Sequence, residues 1–485
     1  MPPMTPAYPR RWTAMFVLLA ASFMNLLDVS IVNVALPNLQ SNLVANDREL
    51  EWVVEIYILM YALCLLPFGR LGDIVGRKGM FVAGVAGFGV ASALCGAAPG
   101  IGWLVLARGV QGMTAAMMSP QVMAIATTLF APPERPKAFS LFGLVAGVSG
   151  VAGPVASGLL LQADFFHLGW RLVFLVNVPI AVATVAAAAA WVPRVEPHPG
   201  LKNDWLGIVL SVTAISCLVY PLVEGRANGW PAWTFAAIAC ALVLLAAFAG
   251  WESRRARLGQ SALLPMVLLS NRDYLVGVGA ILVFFSALQG FFLVYAVFLQ
   301  QGFGFTPLQA GLSTAPFPIG LLIATVIGAR VPELRIKIVT GSLLLVVVFA
   351  VLGLLVRRAT GGDIGPASLA LPLLAGGAGA GLCISSLFQS VMRTVPLKDA
   401  GAGSAAMQVI QQVGAAVGIA LVSALFFSAV GAPAGGHLQE AFKDGFLHTV
   451  AYEIAAYLLV AAAASAMKFE PPAHAGTHRP VTGRS

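Results

Sequence analysis

Charge is what this chain has least of. Asp, Glu, Lys and Arg make up 10% of its 485 residues, against about 25% in a soluble protein. Hydrophobic residues fill 59%, so a chain of ordinary soluble domains is excluded. A second absence concerns nucleotides. No Gly-Lys dipeptide occurs anywhere, so there is no loop of the kind that cradles phosphates. The six histidines form no HExxH, and His198, His474 and His478 fall in loops or the tail. The five cysteines (Cys64, Cys95, Cys217, Cys240, Cys383) all lie inside apolar runs without CxxC spacing, which reads as small packing residues. No metal site, no cofactor and no catalytic constellation is expected, so the chain is not read as an enzyme. The net charge of +8 could suggest nucleic acid. The basic residues sit in short segments between apolar runs, however, where topology and anionic lipid headgroups account for them. No nucleic-acid partner is expected.

Long apolar runs are what the chain has in abundance. Fourteen occur, roughly at 12–36, 51–69, 80–98, 102–129, 138–162, 171–192, 205–224, 231–250, 273–300, 307–329, 338–356, 367–391, 404–429 and 448–467. Each is long enough to cross a hydrocarbon core of ~30 Å. The first is too long for a signal-peptide core and lacks a clear small-residue cleavage site, so it is read as a span. Numbering the gaps alternately from an inside N-terminus puts 21 Lys and Arg inside and 6 outside, with Arg108 alone within a span. That split obeys the positive-inside rule. It places both termini in the cytoplasm.

The spans group as six, two and six. Residues 1–11 form an N-terminal cytoplasmic tail, 12–192 a first six-helix bundle, 193–272 a linker carrying two extra spans, 273–468 a second six-helix bundle and 469–485 a disordered cytoplasmic tail. A faint internal repeat supports two halves. GRLGDIVGRKG (69–79) follows span two, and GARVPELRIK (328–337) follows its counterpart six spans of bundle later. Parallel six-span halves are a transporter layout with the substrate path between them.

Charges at span depth are expensive and are functional hypotheses by default. Asp28 lies deep in span one, Glu55 about a turn into span two and Arg108 under two turns into span four. At about 1.5 Å per residue the three come out at similar depth, so two acids and one base are expected to share a pocket. Burial favours a neutral carboxyl and a nearby guanidinium the ionised one, which is the physical content of proton coupling. Glu224 is read as an interfacial residue at an outer end, and Glu453, a turn or so into the last span, as a hydrated acid near an outer end, with a cavity-facing acid of the second half as the alternative. Methionines of span four (Met113, Met117, Met118, Met123) and aromatics of span nine (Phe284, Phe285, Phe291, Phe292, Tyr295, Phe298) are packing or lipid-facing side chains, with a plastic substrate surface as the alternative.

Several motifs occur in a recognisable order: LDVSIVNVALP (27–37), WVVEIYILMYAL (52–63), GRLGDIVGRKG, LARGVQG (106–112), GVSGVAGPVASG (147–158), GWRLVFLVNVPI (169–180) and QQVGAAVGIAL (411–421). Through them the chain resembles the major facilitator superfamily, in its fourteen-span drug:proton antiporter branch. The resemblance implies an all-α membrane fold of two six-helix bundles plus two inserted helices. It implies a gating latch in the loop holding Gly69, Asp73, Gly76, Arg77 and Lys78, where Asp73 would pair with Arg77 or accept from N–H groups opening span three. The fifth-span motif, with Gly150, Gly153, Pro154 and Gly158, would shape a helix bend. The resemblance predicts no fixed acid at Glu55; from depth and charge alone, Asp28 and Glu55 would carry protons or bind substrate cations, and Arg108 would tune them.

The expected function is therefore proton-coupled export of hydrophobic, cationic small molecules from a bacterial inner (plasma) membrane. The proton gradient would drive it, and its partners would be the substrate, protons and the lipid bilayer. A periplasmic adaptor is left open. The alternatives are a proton-coupled symporter for a nutrient or peptide, and a non-transporting membrane receptor. The first lacks the ExxER-type pattern in helix one, where Asn25-Leu26-Leu27-Asp28 stands. The second has no soluble domain to support it.

Overall fold

The computed structural model describes residues 8–467 except 132–133, 164, 195–203, 228, 261–262, 265–267, 269, 306, 329, 332, 359–364, 397–398 and 431–437. The two expected tails and most of the 193–204 linker lie outside the described residues. What is described is helical throughout, in chain order α1 (Arg11–Leu43), α2 (Asp47–Val75), α3 (Arg77–Gly96), α4 (Ile101–Leu129) and α5 (Arg135–Ala163). Next comes α6, in two pieces (Arg171–Leu175 and Asn177–Trp191), followed by α7 (Trp205–Ala227), α8 (Ala232–Arg257) and α9 (Arg272–Val297). Then follow α10, again in two pieces (Pro307–Thr314 and Pro316–Gly328), α11 (Leu334–Arg358), α12 (Pro366–Met392), α13 (Ala400–Val430) and α14 (Leu438–Ala466).

Local chemistry sets the ends. Asn46 and Glu49 form a reciprocal capping box at the start of α2. The Asn271 side chain accepts from the N–H groups of Asp273 and Tyr274 to open α9. Pro366 occupies the first turn of α12, where its missing N–H costs nothing. Pro67, Pro120, Pro221 and Pro372 sit inside helices, which neighbouring spans make tolerable.

Thirteen helices among the described residues are long and apolar enough to cross a membrane. The expected span 102–129 is not one of them. It forms a 29-residue helix, α4, but Arg108, Gln111 and Gln121 thin its apolar content, and all three are buried in the bundle. The remaining thirteen expected runs each coincide with one of these helices.

The first six helices pack together, α1 on α5 and α6, α2 on α4, and α3 on α4 and α6. In the second six, α9 lies on α13 and α14, α10 on α12, and α11 on α12 and α14. The halves meet along two seams, α2 with α13 and α5 with α10. Counting six bundle helices on turns one seam into the other, so the repeat that is faint in the loops is plain in the packing. The inserted pair α7 and α8 pack on each other, and α7 also touches α2 and α13. The inserted helices thus flank the first seam.

Candidate functional site

Asp28 lies near the middle of α1 and is fully buried. Its carboxylate accepts from three side chains on two other helices. Arg108 Nη1 donates to Oδ2 at 2.5 Å. Gln111 Nε2 and Asn177 Nδ2 each donate to Oδ1 at 2.8 Å. Arg108 and Gln111 are three residues apart on α4, the spacing that puts two side chains on one helix face. Asn177 opens the second piece of α6, just after the helix is interrupted at Val176.

Arg108 is held from several sides. Its Nε donates to the Val53 carbonyl at 3.0 Å, and Nη1 also donates to Gln111 Oε1 at 2.7 Å. The guanidinium lies 4.3 Å from the Tyr57 ring centre, a cation–π arrangement. Gln111 Nε2 further donates to Ser92 Oγ at 2.8 Å. Around this core, the Tyr57 hydroxyl donates to Asn25 Oδ1, and Tyr61 stacks parallel to Tyr57. Tyr61 Oη donates to Gln408 Oε1 on α13 at 2.9 Å. A polar chain therefore runs from the Asp28 neighbourhood to the second half.

Glu55 is not part of this cluster. It is half-buried, and the charged groups acting on it are Glu51, Glu224 and Arg48. Two residues along a helix is about 200° of turn, so Glu55 points away from the face on which Val53 meets Arg108. The expected pocket of two acids and one base is a pocket of one acid and one base, completed by two amides. Glu224 is buried and pairs with Arg48 at 3.5 Å, rather than standing in water.

The second assembly sits at the opposite end of the bundle, on the face that collects Arg70, Arg77, Lys78 and Arg135, called here the basic face. GRLGDIVGRKG is not a loop. Residues 69–75 finish α2, Gly76 alone makes the turn with φ at 106°, and Arg77 begins α3. That backbone conformation favours glycine. Asp73 is buried and pairs with Arg77 at 2.9 Å. It does not cap α3. Its two oxygens accept from the N–H groups of Gly401 and Ala402, at 3.3 and 3.1 Å, at the start of α13. A carboxylate there is favoured by the unpaired donors and dipole of the helix end. Arg70 adds a pair with Asp399 at 3.4 Å, and Ser404 Oγ donates to the Pro120 carbonyl at 2.9 Å. A Cβ on Gly69 would stand 2.8 Å from the Gly401 carbonyl oxygen, so the helices cross almost backbone to backbone. Lys78 stays within its own half, donating to the Ala189 carbonyl at 2.9 Å. The basic face is closed by these contacts.

The glycines of α5 do not make one common face. Gly147 and Gly150 lie against Leu322 and Pro318 of α10, Gly153 lies against Ser30 of α1, and Gly158 faces open space. The motif thus serves two neighbours, one in each half. The Pro154 side chain lies outside the described residues, and α5 runs as one helix from Arg135 to Ala163. Phe284, Phe285, Phe291, Tyr295 and Phe298, with Met118 and Met123, are buried in the helix packing, so they form core rather than a lipid face. The cysteines remain free thiols.

Sequence reading missed Asn177, Gln111, Arg70 and Asp399 as site residues. A polar side chain in an apolar run was the available signal for Asn177 and Gln111. Glu453 was misplaced. Its helix begins at Leu438, ten residues before the apolar run, because Glu440, Lys443, Asp444 and His448 interrupt the hydropathy but not the helix. Glu453 is therefore at mid-helix and fully buried.

Comparison with known proteins follows the same lines. The Major Facilitator Superfamily profile matches residues 18–419. A probable actinorhodin transporter of Streptomyces coelicolor is 36% identical, over 90% of this chain and 76% of the relative. The puromycin resistance protein pur8 of Streptomyces alboniger is 32% identical, over 93% and 90%. The tetracenomycin C resistance and export protein of Streptomyces glaucescens is 31% identical, over 87% and 77%. The crystal structure of the human organic anion transporter MFSD10 superposes with a TM-score of 0.68 at 13% identity, covering 93% of this chain and all of that one.

Proposed function

Because the chain belongs to the major facilitator superfamily, we propose that it exports drug-like, hydrophobic and cationic small molecules in exchange for protons. It is a multi-pass membrane transporter and not an enzyme. The names of its relatives, a probable actinorhodin transporter, a puromycin resistance protein and a tetracenomycin C resistance and export protein, support export of bulky organic molecules over nutrient uptake. The distribution of Lys and Arg supports a bacterial plasma membrane with the basic face in the cytoplasm and both termini inside. With α4 counted, fourteen spans result.

One observation carries the proton coupling: Asp28 is an ionisable group buried at mid-helix whose compensation depends on side chains of two other helices. When Arg108 and Asn177 are in place, the carboxylate is stabilised. When a change of state or an arriving cation draws them away, the ionised form loses its partners and binding a proton becomes favourable. Asp73 on the α13 helix start is the part that would hold the cytoplasmic side shut between turns of the cycle. The substrate's positive charge and the proton compete for the same negative site, which is what makes the exchange obligatory.

Efflux of a fluorescent cationic dye from preloaded cells tests the reading. Cells expressing the chain should lose dye faster than control cells, and an uncoupler should abolish the difference. Faster efflux that persists after uncoupling would rule out a proton gradient as the driver.

A further inference from the structure

Among the described residues two carboxyl groups stand fully buried at mid-helix, and their surroundings are opposite. Asp28 of α1 has a guanidinium and two amides. Glu453 of α14 has none. Both of its oxygens are sealed from solvent, and no cation or amide among the described residues meets them. One helical turn on, the buried Tyr457 hydroxyl lies beside the carboxyl and is the hydroxyl that can donate to it.

The surroundings offer nothing to neutralise a negative charge. The titratable groups nearby are Tyr457 and Tyr452 on its own helix, and beyond Tyr457 the Cys383 thiol of α12. Tyr452 is engaged with Ser286 of α9 at 2.7 Å. The ring of Phe349 from α11 stacks on Tyr457, and that of Phe284 from α9 meets it edge-on. Charged residues of the helices packed on α14 sit at helix ends, Arg272 and Asp273 on α9 and Arg335, Lys337, Arg357 and Arg358 on α11, while α13 carries none. An ionised carboxylate sealed in such a place costs several kcal/mol, and the group sheds that cost by becoming neutral.

We propose that Glu453 is a proton-binding site in the second six-helix bundle, carrying a proton in the state whose basic face is closed. The proposal rests on the antiport reading for its role in the cycle. One proton passes from water on the outer side to the carboxylate, giving a neutral carboxyl. When the halves rearrange and water reaches α14 from the cytoplasmic side, the same proton leaves to that water and the carboxylate is regenerated. Asp28 and Glu453 then differ in surroundings within one conformation, the first met by a guanidinium and two amides, the second by no cation.

Two measurements separate this proposal from the reading beneath it. Infrared spectroscopy of the purified chain in detergent at neutral pH reads protonated carboxyls by their C=O stretch and needs no transport. The band should lose the intensity of one carboxyl in Glu453→Gln and shift in Glu453→Asp. An unchanged band in both variants overturns the proposal. In liposomes, Glu453→Gln should retain ethidium counterflow within about twofold and lose at least tenfold of accumulation driven by an imposed pH gradient. Wild-type accumulation in that variant also overturns it. If the wild-type chain itself ignores the pH gradient, the antiport reading fails, and the infrared result still decides the protonation of Glu453.

Discussion

Arg108 reaches a backbone carbonyl on α2, a carboxylate on α1 and an amide on its own helix at once. Lysine cannot reproduce that, because a point charge on a flexible stem has no planar fork. Arg108→Lys should therefore fail to transport although charge is conserved. Arg108→Ala strands a buried carboxylate, which typically costs about 3–5 kcal/mol. Removing both partners, Asp28→Ala with Arg108→Ala, should destabilise less than the two single changes added together. Thermal melting of the four proteins in one detergent checks this, and strict additivity would mean that the pair is not coupled. At this scale the sequence was half legible. A charge in an apolar run is visible, so Asp28 and Arg108 could be named. Their partner Asn177 is neutral and sits in a stretch that otherwise reads as ordinary span. The donors that meet Asp73 belong to the backbone of Gly401 and Ala402, and a backbone N–H has no letter of its own.

The α2–Gly76–α3 corner and the start of α13 act as one device. Asp73 spans both, and Gly69 and Gly401 let the two helices touch. A Cβ on Gly401 would lie 2.5 Å from Asp73 Oδ1 and 2.6 Å from the Gly69 carbonyl oxygen. Gly401→Val must therefore push α13 away and break the cap. Spin labels at the exposed Val75 and Arg393, introduced as Val75→Cys and Arg393→Cys, should report a longer and broader distance in Gly401→Val than in the parent. Transport should fall at least tenfold while dye binding in detergent stays near normal. An unchanged distance would show that this corner does not close the basic face. Of the expected latch residues, Gly69, Asp73, Gly76 and Arg77 gather at this corner and Lys78 turns to its own half, while the N–H groups that meet Asp73 come from α13 rather than α3. Glycine and acid spacing within one segment is readable, whereas which helix arrives 328 residues later is not. Helix lengths were misjudged for a related reason. Hydropathy finds the part of a helix inside the hydrocarbon, while α1 and α14 continue past it through polar residues.

At the scale of the whole molecule, the alternation of apolar runs is enough to read a bundle of membrane-crossing helices, and the bias of Lys and Arg sets its expected orientation. The same bias predicts that an alkaline phosphatase fusion at the C-terminus is inactive and a cytoplasmic fluorescent protein there is bright. The reverse pattern would mean a miscounted span or an inverted orientation. The two seams, α2 with α13 and α5 with α10, leave each half a rigid neighbour to pivot against. In the proposed exchange the carboxyl that would carry the proton, Asp28, lies inside one half and not on a seam. A change of seam must therefore reach Asp28 through the Tyr57, Tyr61 and Gln408 chain or through the helices that carry Arg108 and Asn177.

The central claim is that protons drive export through Asp28. Inside-out vesicles with an imposed gradient, acid in the lumen, test it most directly when ethidium accumulation and proton efflux are recorded together. Wild-type vesicles should accumulate dye against its gradient while protons leave, and collapse of the gradient should stop both. Asp28→Asn preserves size and hydrogen bonding but cannot titrate, so it should show neither flux above the background of empty vesicles. Uphill accumulation by Asp28→Asn at the wild-type rate would contradict the account.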